Sequence, residues 1–197
     1  MAVRFNMPKL NELSREHLNA LIGCPNIKRF DAAMLEADSP LILHMELARS
    51  RKVFDSVELK ERHGDIINVT KNTVVLSFSA LDALIHSVLK RDLPEDSFKK
   101  LQYRTFQSSV QVEAALDRLS CSQGFELIAS GISFDFYTED QARKELDAYY
   151  TRKNYITHHA DLDERGNAIE FSPSYAHACA RFIRAFGHSF HIATFKV

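Results

Sequence analysis

The chain has 197 residues, 45% of them hydrophobic and 26% charged, which is long enough for one substantial core and ordinary for a globular domain. A net charge of −1 excludes a protein that coats nucleic acid with a basic surface, so any contact with a polyanion has to come from a local patch. Cys24, Cys121 and Cys179 are widely separated and in no Cys-x-x-Cys spacing, which excludes a disulfide scaffold and fits a reducing compartment.

Six glycines and five prolines are few for this length and predict an all-α fold, since turn-dense β-proteins need more punctuation. Residues 10–22 read as a short helix with Leu10, Leu13, Leu18, Leu21 and Ile22 near one face, ended by Gly23, Cys24 and Pro25. The stretch 25–38 reads as loop with a short helical turn. Ser39 and Pro40 then have the form of an N-cap and a first-turn proline, opening a helix over about 40–60. A longer helix is expected over 65–91, where Ile66, Ile67, Val74, Leu76, Phe78, Leu81, Leu84, Ile85 and Val88 crowd closely enough that more than one face must be covered.

Pro94, Glu95 and Asp96 mark a turn, and Ser97 to Leu119 reads as one further helix. Gly124 and Gly131 bracket a loop or short extended piece, after which Phe134, Asp135 and Phe136 are expected to pack over the bundle. Thr138 with Glu139 and Asp140 behind it has the form of an N-cap with an acidic first turn, and the helix it opens is expected to reach His159. A solvated loop over 163–167 leads to Ser172, Pro173 and Ser174, which open a last helix over 174–192. The pattern is a four-helix antiparallel bundle over residues 61–197 with a helical extension over 1–60, that extension being an accessory arm or part of a dimer interface. The amino terminus lacks the apolar run of a signal peptide and no stretch approaches the roughly 20 apolar residues of a membrane span, so a cytoplasmic protein without a membrane partner is expected.

The chemistry concentrates in the run Arg152, Lys153, Asn154, Tyr155, Ile156, Thr157, His158, His159, Ala160, Asp161. A guanidinium, an ammonium, a carboxamide and two imidazoles are the groups that metal-free cleavage of a phosphodiester requires: cations for the phosphate, a polar orienter and a base titrating near neutrality. At about 100° per residue, Asn154 and His158 share a helix face, while Arg152 and His158 stand about 120° apart. This run resembles the Arg-x(4–6)-His signature of the HEPN-domain ribonucleases, in the form Arg-Arg-Asn-x-Ile-Val-His. The stretch Val74 to His86, with Leu81 and Asp82 in the Leu-Asp form, is similar to the first core helix of their RiboL-PSP branch. The resemblance covers roughly residues 65–195.

It implies an all-α HEPN-like bundle whose motif helix faces its copy across a dimer cleft, and an endoribonuclease that leaves 2′,3′-cyclic phosphate ends and needs no cofactor and no metal. His158 would be the general acid or base and Asn154 the orienter, with Arg152 as the catalytic cation and Lys153 and His159 as substrate contacts. RNA, a second copy of the chain and an antitoxin or regulatory protein would be its partners, in a toxin or defence role. The sequence departs from the family at two points: Lys153 stands where an arginine directly precedes the asparagine, and Thr157 replaces an apolar residue. Lysine neutralises a phosphate without arginine's bidentate fork, so either Arg152 has taken that role or the activity is weakened. Catalytically silent HEPN domains serve as dimerisation or interaction modules, the second reading.

Blander roles stand beside these. Cations at a helix C-terminus answer its dipole. His158, His159, Asp161 and Asp163, with His177, His188 and His191, are metal-ligand types without a metal-site spacing. His86 reads as a core histidine, Asp82 as bonded to the motif helix or solvated, and His188 and His191 as cleft-lining or capping.

Overall fold

The computed structural model describes residue 20 and residues 23–50, 57–121, 123–132, 137–159 and 161–195, with the backbone alone at 41, 43–50, 57–66, 68 and 69. Among the described residues are seven helices: α1 (Pro25–Ser50), α2 (Val57–Asp92), α3 (Glu95–Lys99), α4 (Ser109–Arg118), α5 (Gly124–Gly131), α6 (Glu139–His158) and α7 (Pro173–Thr194). The all-α expectation holds over them, and the extended pairing they leave is an isolated antiparallel bridge between Leu162 and Ala168. The helix read over 10–22 and the residues 134–136 lie outside the described residues, Ala20 excepted.

Helix α2 is the centre of the fold and packs against α1, α6 and α7. Its residues Val74, Phe78, Leu81, Leu84, Ile85, Val88 and Leu89 are all buried, on more than one face as their crowding predicts. The β-branched Thr73–Val74–Val75 is helical, because tertiary packing overrides a weak local preference. The same apolarity corrects the expectation about membrane spans. Thr70–Asp92 has a mean hydropathy of 1.4 over its most apolar window and is long and apolar enough to cross a membrane, with 56% of that window buried inside the fold.

Helix α1 departs most from the sequence reading. Residues 25–38 are its first half, and Ser39–Pro40 lies inside it rather than at its start. The stripe Ile27, Phe30, Met34 and Ala37 is buried against α2 and α7. Each of those large side chains contributes about 1.5–3 kcal/mol on full burial, and together they outweigh the roughly 3 kcal/mol that a proline costs inside a helix. Two side-chain contacts tie α1 to α7: an ion pair of Arg184 Nη2 with Asp38 Oδ2 at 2.5 Å, and His188 Nε2 at 2.7 Å from Asp31 Oδ1. His188 thus meets the carboxylate of Asp31 on α1 rather than capping its own helix. Helix α2 runs through position 60, where the sequence reading divides the chain.

The single helix read over 97–119 is broken, and within 100–107 the Arg104 carbonyl and the Phe106 N–H are given to α2. His86 Nε2 lies 2.7 Å from the carbonyl of Arg104, and Asp82 Oδ1 accepts the N–H of Phe106 at 2.6 Å. Asp82 therefore bonds this connection and not α6. The ring of His86 meets Phe98 and Phe106 edge-on. Ser108 then restarts the chain as α4 with a capping box closed by Gln111. Asp147 of α6 accepts both the N–H and the hydroxyl of Ser109, fixing α4 to α6. The segment read as loop over 124–131 is α5, with Phe125, Ile128 and Ala129 buried at helical spacing. Gly131 is not a turn residue: a Cβ there would lie 2.5 Å from Ser189 Oγ of α7.

A Cβ at Gly187 of α7 would likewise clash with the ring edge of Phe30 of α1, 2.7 Å from Cε1 and closer still to Cζ. Gly187→Ala is therefore expected to destabilise the protein by about 1–3 kcal/mol through overpacking, read as a lower denaturant midpoint. His191 of α7 is 1% exposed, and neither of its ring nitrogens has a hydrogen-bond partner. Burial, with Arg91 adding to it, pushes its imidazole down from 6.5 to about 4. The unfolded chain takes up that proton below pH 6.5 and the folded chain does so only near 4. This contribution is complete above 6.5 and declines as the pH falls, by about 3 kcal/mol across the window. Replacing His191 with leucine is expected to flatten that part of the stability–pH curve, measured by urea unfolding at several pH values.

Candidate functional site

The motif run forms the last two turns of α6 and the turn that leaves it. Thr138 starts this helix with a capping box closed by Gln141. Ala142, Leu146 and Tyr149 bury one face of it, Tyr149 meeting Tyr175 and Phe182 of α7. Burial, with the neighbouring Glu145 adding to it, drives the Tyr149 hydroxyl far above its ordinary range. Arg143 forks onto Glu113 of α4 and pairs with Glu139, its guanidinium 4.0 Å from the ring centre of Phe125. The helix is thus held along its length by α4, α5 and α7 before the motif begins.

Arg152 points into the protein. Its Nη2 donates to Asp161 Oδ2 at 3.0 Å and to the carbonyls of Ile169 and Glu170 at 3.2 and 3.0 Å. The side chain is 11% exposed and lies against the ring of Phe171. The same Asp161 oxygen takes Lys71 Nζ of α2 at 2.8 Å, and Lys71 also lies over Phe171. The Asp161 side chain is 4% exposed, and its Oδ1 is buried without a hydrogen-bond partner. Asp161 has a φ of 61°, the left-handed region that aspartate tolerates better than most residues. Its N–H and that of His159 both bond the carbonyl of Tyr155. The Leu162–Ala168 bridge then closes the loop, with Asp163 accepting the N–H groups of Arg165 and Asn167. Those bonds, Asn167's first, hold the Asp163 carboxyl below its usual range.

The other motif residues turn outward or lie half-buried. Lys153 Nζ is 3.5 Å from Asn154 Oδ1 and 5.9 Å from the ring centre of Tyr150. Thr157 spends its hydroxyl on the carbonyl of Lys153. His158 and His159 are both exposed, and the ring of His159 stands 5.3 Å from that of Tyr155. The structure therefore brings Lys153 to Asn154 and carries Arg152 away to Asp161. Of the two cations that the sequence leaves open as phosphate ligands, Lys153 is the one whose charge is not committed to a buried carboxylate. An open depression of about 340 Å³ beside Arg152 is lined by Ile169, Glu170, Ser172 and Tyr175, and none of Lys153, Asn154 or His158 lines it.

Asp161 and Lys71 were invisible as a pair in the sequence, where Asp161 stood only among metal-ligand types. Among the described residues no three His, Cys, Asp or Glu side chains are grouped to hold a metal ion. No family model, curated protein or solved structure matches the chain.

Breaking a buried ion pair by removing one partner costs about 3–5 kcal/mol. Arg152→Ala is expected at the lower end, about 3 kcal/mol, because Lys71 still faces Asp161. Lys153→Ala is expected to change stability by no more than about 0.5 kcal/mol. Parallel guanidinium-chloride unfolding of the two variants measures the difference.

Proposed function

We propose that the chain is a metal-independent endoribonuclease of HEPN type that works as a homodimer in the cytoplasm, as a toxin or defence effector restrained by an antitoxin or regulatory protein. In this reading α2, α4 with α5, α6 and α7 correspond to the four helices of the HEPN bundle, and α1 belongs to the extension. The observation that carries it is the exposed last turn of α6. The exposed imidazole of His158 makes no hydrogen bond to another described residue and stands one helical turn from Asn154, whose carboxamide oxygen faces the ammonium of Lys153.

Neutral His158 takes the proton of a ribose 2′-hydroxyl as that oxygen forms a bond to phosphorus. The bond from phosphorus to the 5′-oxygen breaks, and the leaving oxygen takes a proton from the equivalent imidazole of a second copy across the dimer cleft. Lys153 neutralises the charge that gathers on the phosphate, and Asn154 orients it. Arg152 acts at one remove, as the anchor of the motif helix. His159, its ring tilted beside that of Tyr155, offers a further contact to the substrate.

The sequestration of Arg152 favours a second reading: a catalytically silent HEPN-like module that uses the same bundle to bind a partner protein. Cleavage of labelled RNA by purified protein in excess EDTA separates the two. The wild type is expected to cut, leaving cyclic-phosphate ends, while folded His158→Ala is inactive and Lys153→Ala loses on the order of 100-fold, as for removal of one group that stabilises transition-state charge. Equal cutting by wild type and His158→Ala, or no cutting of any RNA, defeats the nuclease reading, and the latter result favours the silent module.

A further inference from the structure

The segment that carries the candidate chemistry, residues 153–160, is bracketed at both ends by one ion cluster. Arg152 stands immediately before it and Asp161 immediately after it, and the two are joined by a 3.0 Å ion pair. Lys71 draws the same carboxylate oxygen to α2 at 2.8 Å, and α2 packs against α1, α6 and α7 at the centre of the core. Arg152 extends the bracket through the carbonyls of Ile169 and Glu170 toward the start of α7. The last turn of α6 is therefore referenced to α2 and α7 through a single carboxylate. No helix hydrogen bond alone could do this, because His159 already ends the helix and the chain turns through the left-handed Asp161.

We propose that Asp161 is a positioning residue of the nuclease: shared between Lys71 and Arg152, its carboxylate fixes the end of α6 so that the His158 imidazole meets the ribose 2′-hydroxyl in line with the scissile bond. This rests on the reading of His158 as the general base. Asp161 does not touch RNA, and it acts through the bond of its N–H to the Tyr155 carbonyl, which His159 shares, and through Arg152. Proton transfer demands heavy-atom distances of about 3 Å, so a shift of about 1 Å at His158 costs on the order of 100-fold in rate. Lys153 lies five residues before the end of α6, within the packed helix, so its contact with the substrate changes little.

The test is Asp161→Asn in the full-length protein. Asparagine keeps the shape and tolerates the left-handed backbone, so only the charge is lost. Two quantities are measured on protein shown to be folded: kcat and KM for RNA cleavage, and the imidazole carbon–proton resonances of the histidines by NMR. The expected result is a kcat lower by on the order of 100-fold with KM within about twofold, together with a displaced His158 resonance and unmoved signals from His86 and His191. A role in stability alone leaves the His158 signal of the folded variant in place, and that result overturns the proposal. So does a displaced signal with unchanged kcat.

Should Asp161→Asn not fold, Lys71→Met keeps the Arg152 pair and removes only the tie to α2. The same two changes are expected, smaller in size, and their absence overturns the proposal equally. If the wild type cuts no RNA, the nuclease reading itself has failed. The resonances of His158 in the two variants then still report whether the clamp fixes the helix end.

Discussion

A helix that is apolar on more than one face has to be surrounded, and α2 is such a helix. Over Thr70–Leu89 it buries Thr70, Thr73, Val74, Ser77, Phe78, Ala80, Leu81, Leu84, Ile85, Val88 and Leu89. Helices α1, α6 and α7 supply the cover, and their positions follow from it. The connection after α3 is held the same way, by Asp82 and His86 reaching sideways from α2 to its backbone. Lys71, near the start of the buried stretch, carries this reference to the end of α6.

How much of this was legible in the sequence depended on whether a signal was local. The starts of α6 and α7 were, because Thr138 and Ser172 satisfy N–H groups three residues on and Pro173 occupies a first turn. The crowding along α2 was also legible, since it is a property of one segment. The course of α1 was not. Pro40 is a strong local stop, and only the burial of Phe30 and Met34 against distant helices overrides it. The break between α3 and α4 was hidden for the same reason: His86 and Asp82 claim the backbone of residues far along the chain. At α5 the glycines misled, since Gly131 is there for the close approach of Ser189 rather than for a turn.

The candidate site divides along the same line. The residue types and the shared face of Asn154 and His158 could be read from helical periodicity. The assignment between Arg152 and Lys153 could not, because Arg152's acceptors are the Asp161 carboxylate and two carbonyls brought near by a loop. A guanidinium suits that setting: it stays charged when buried and spreads several N–H groups in one plane. An ammonium is a compact, more strongly hydrated charge, and Lys153 sits where its side chain is half-buried and its partner is a neutral amide.

The two polar side-chain contacts between α1 and α7 join residues 146 and 157 positions apart. A chain made from its amino end therefore carries α1 and the apolar faces of α2 well before the helix that covers them exists. Helical proteins built from near-neighbour contacts fold quickly, whereas closure between distant segments slows folding and leaves greasy surface exposed in the interval. In this protein the core is completed only once α7 has been made, so the buried faces of α1 and α2 wait on a helix far along the chain.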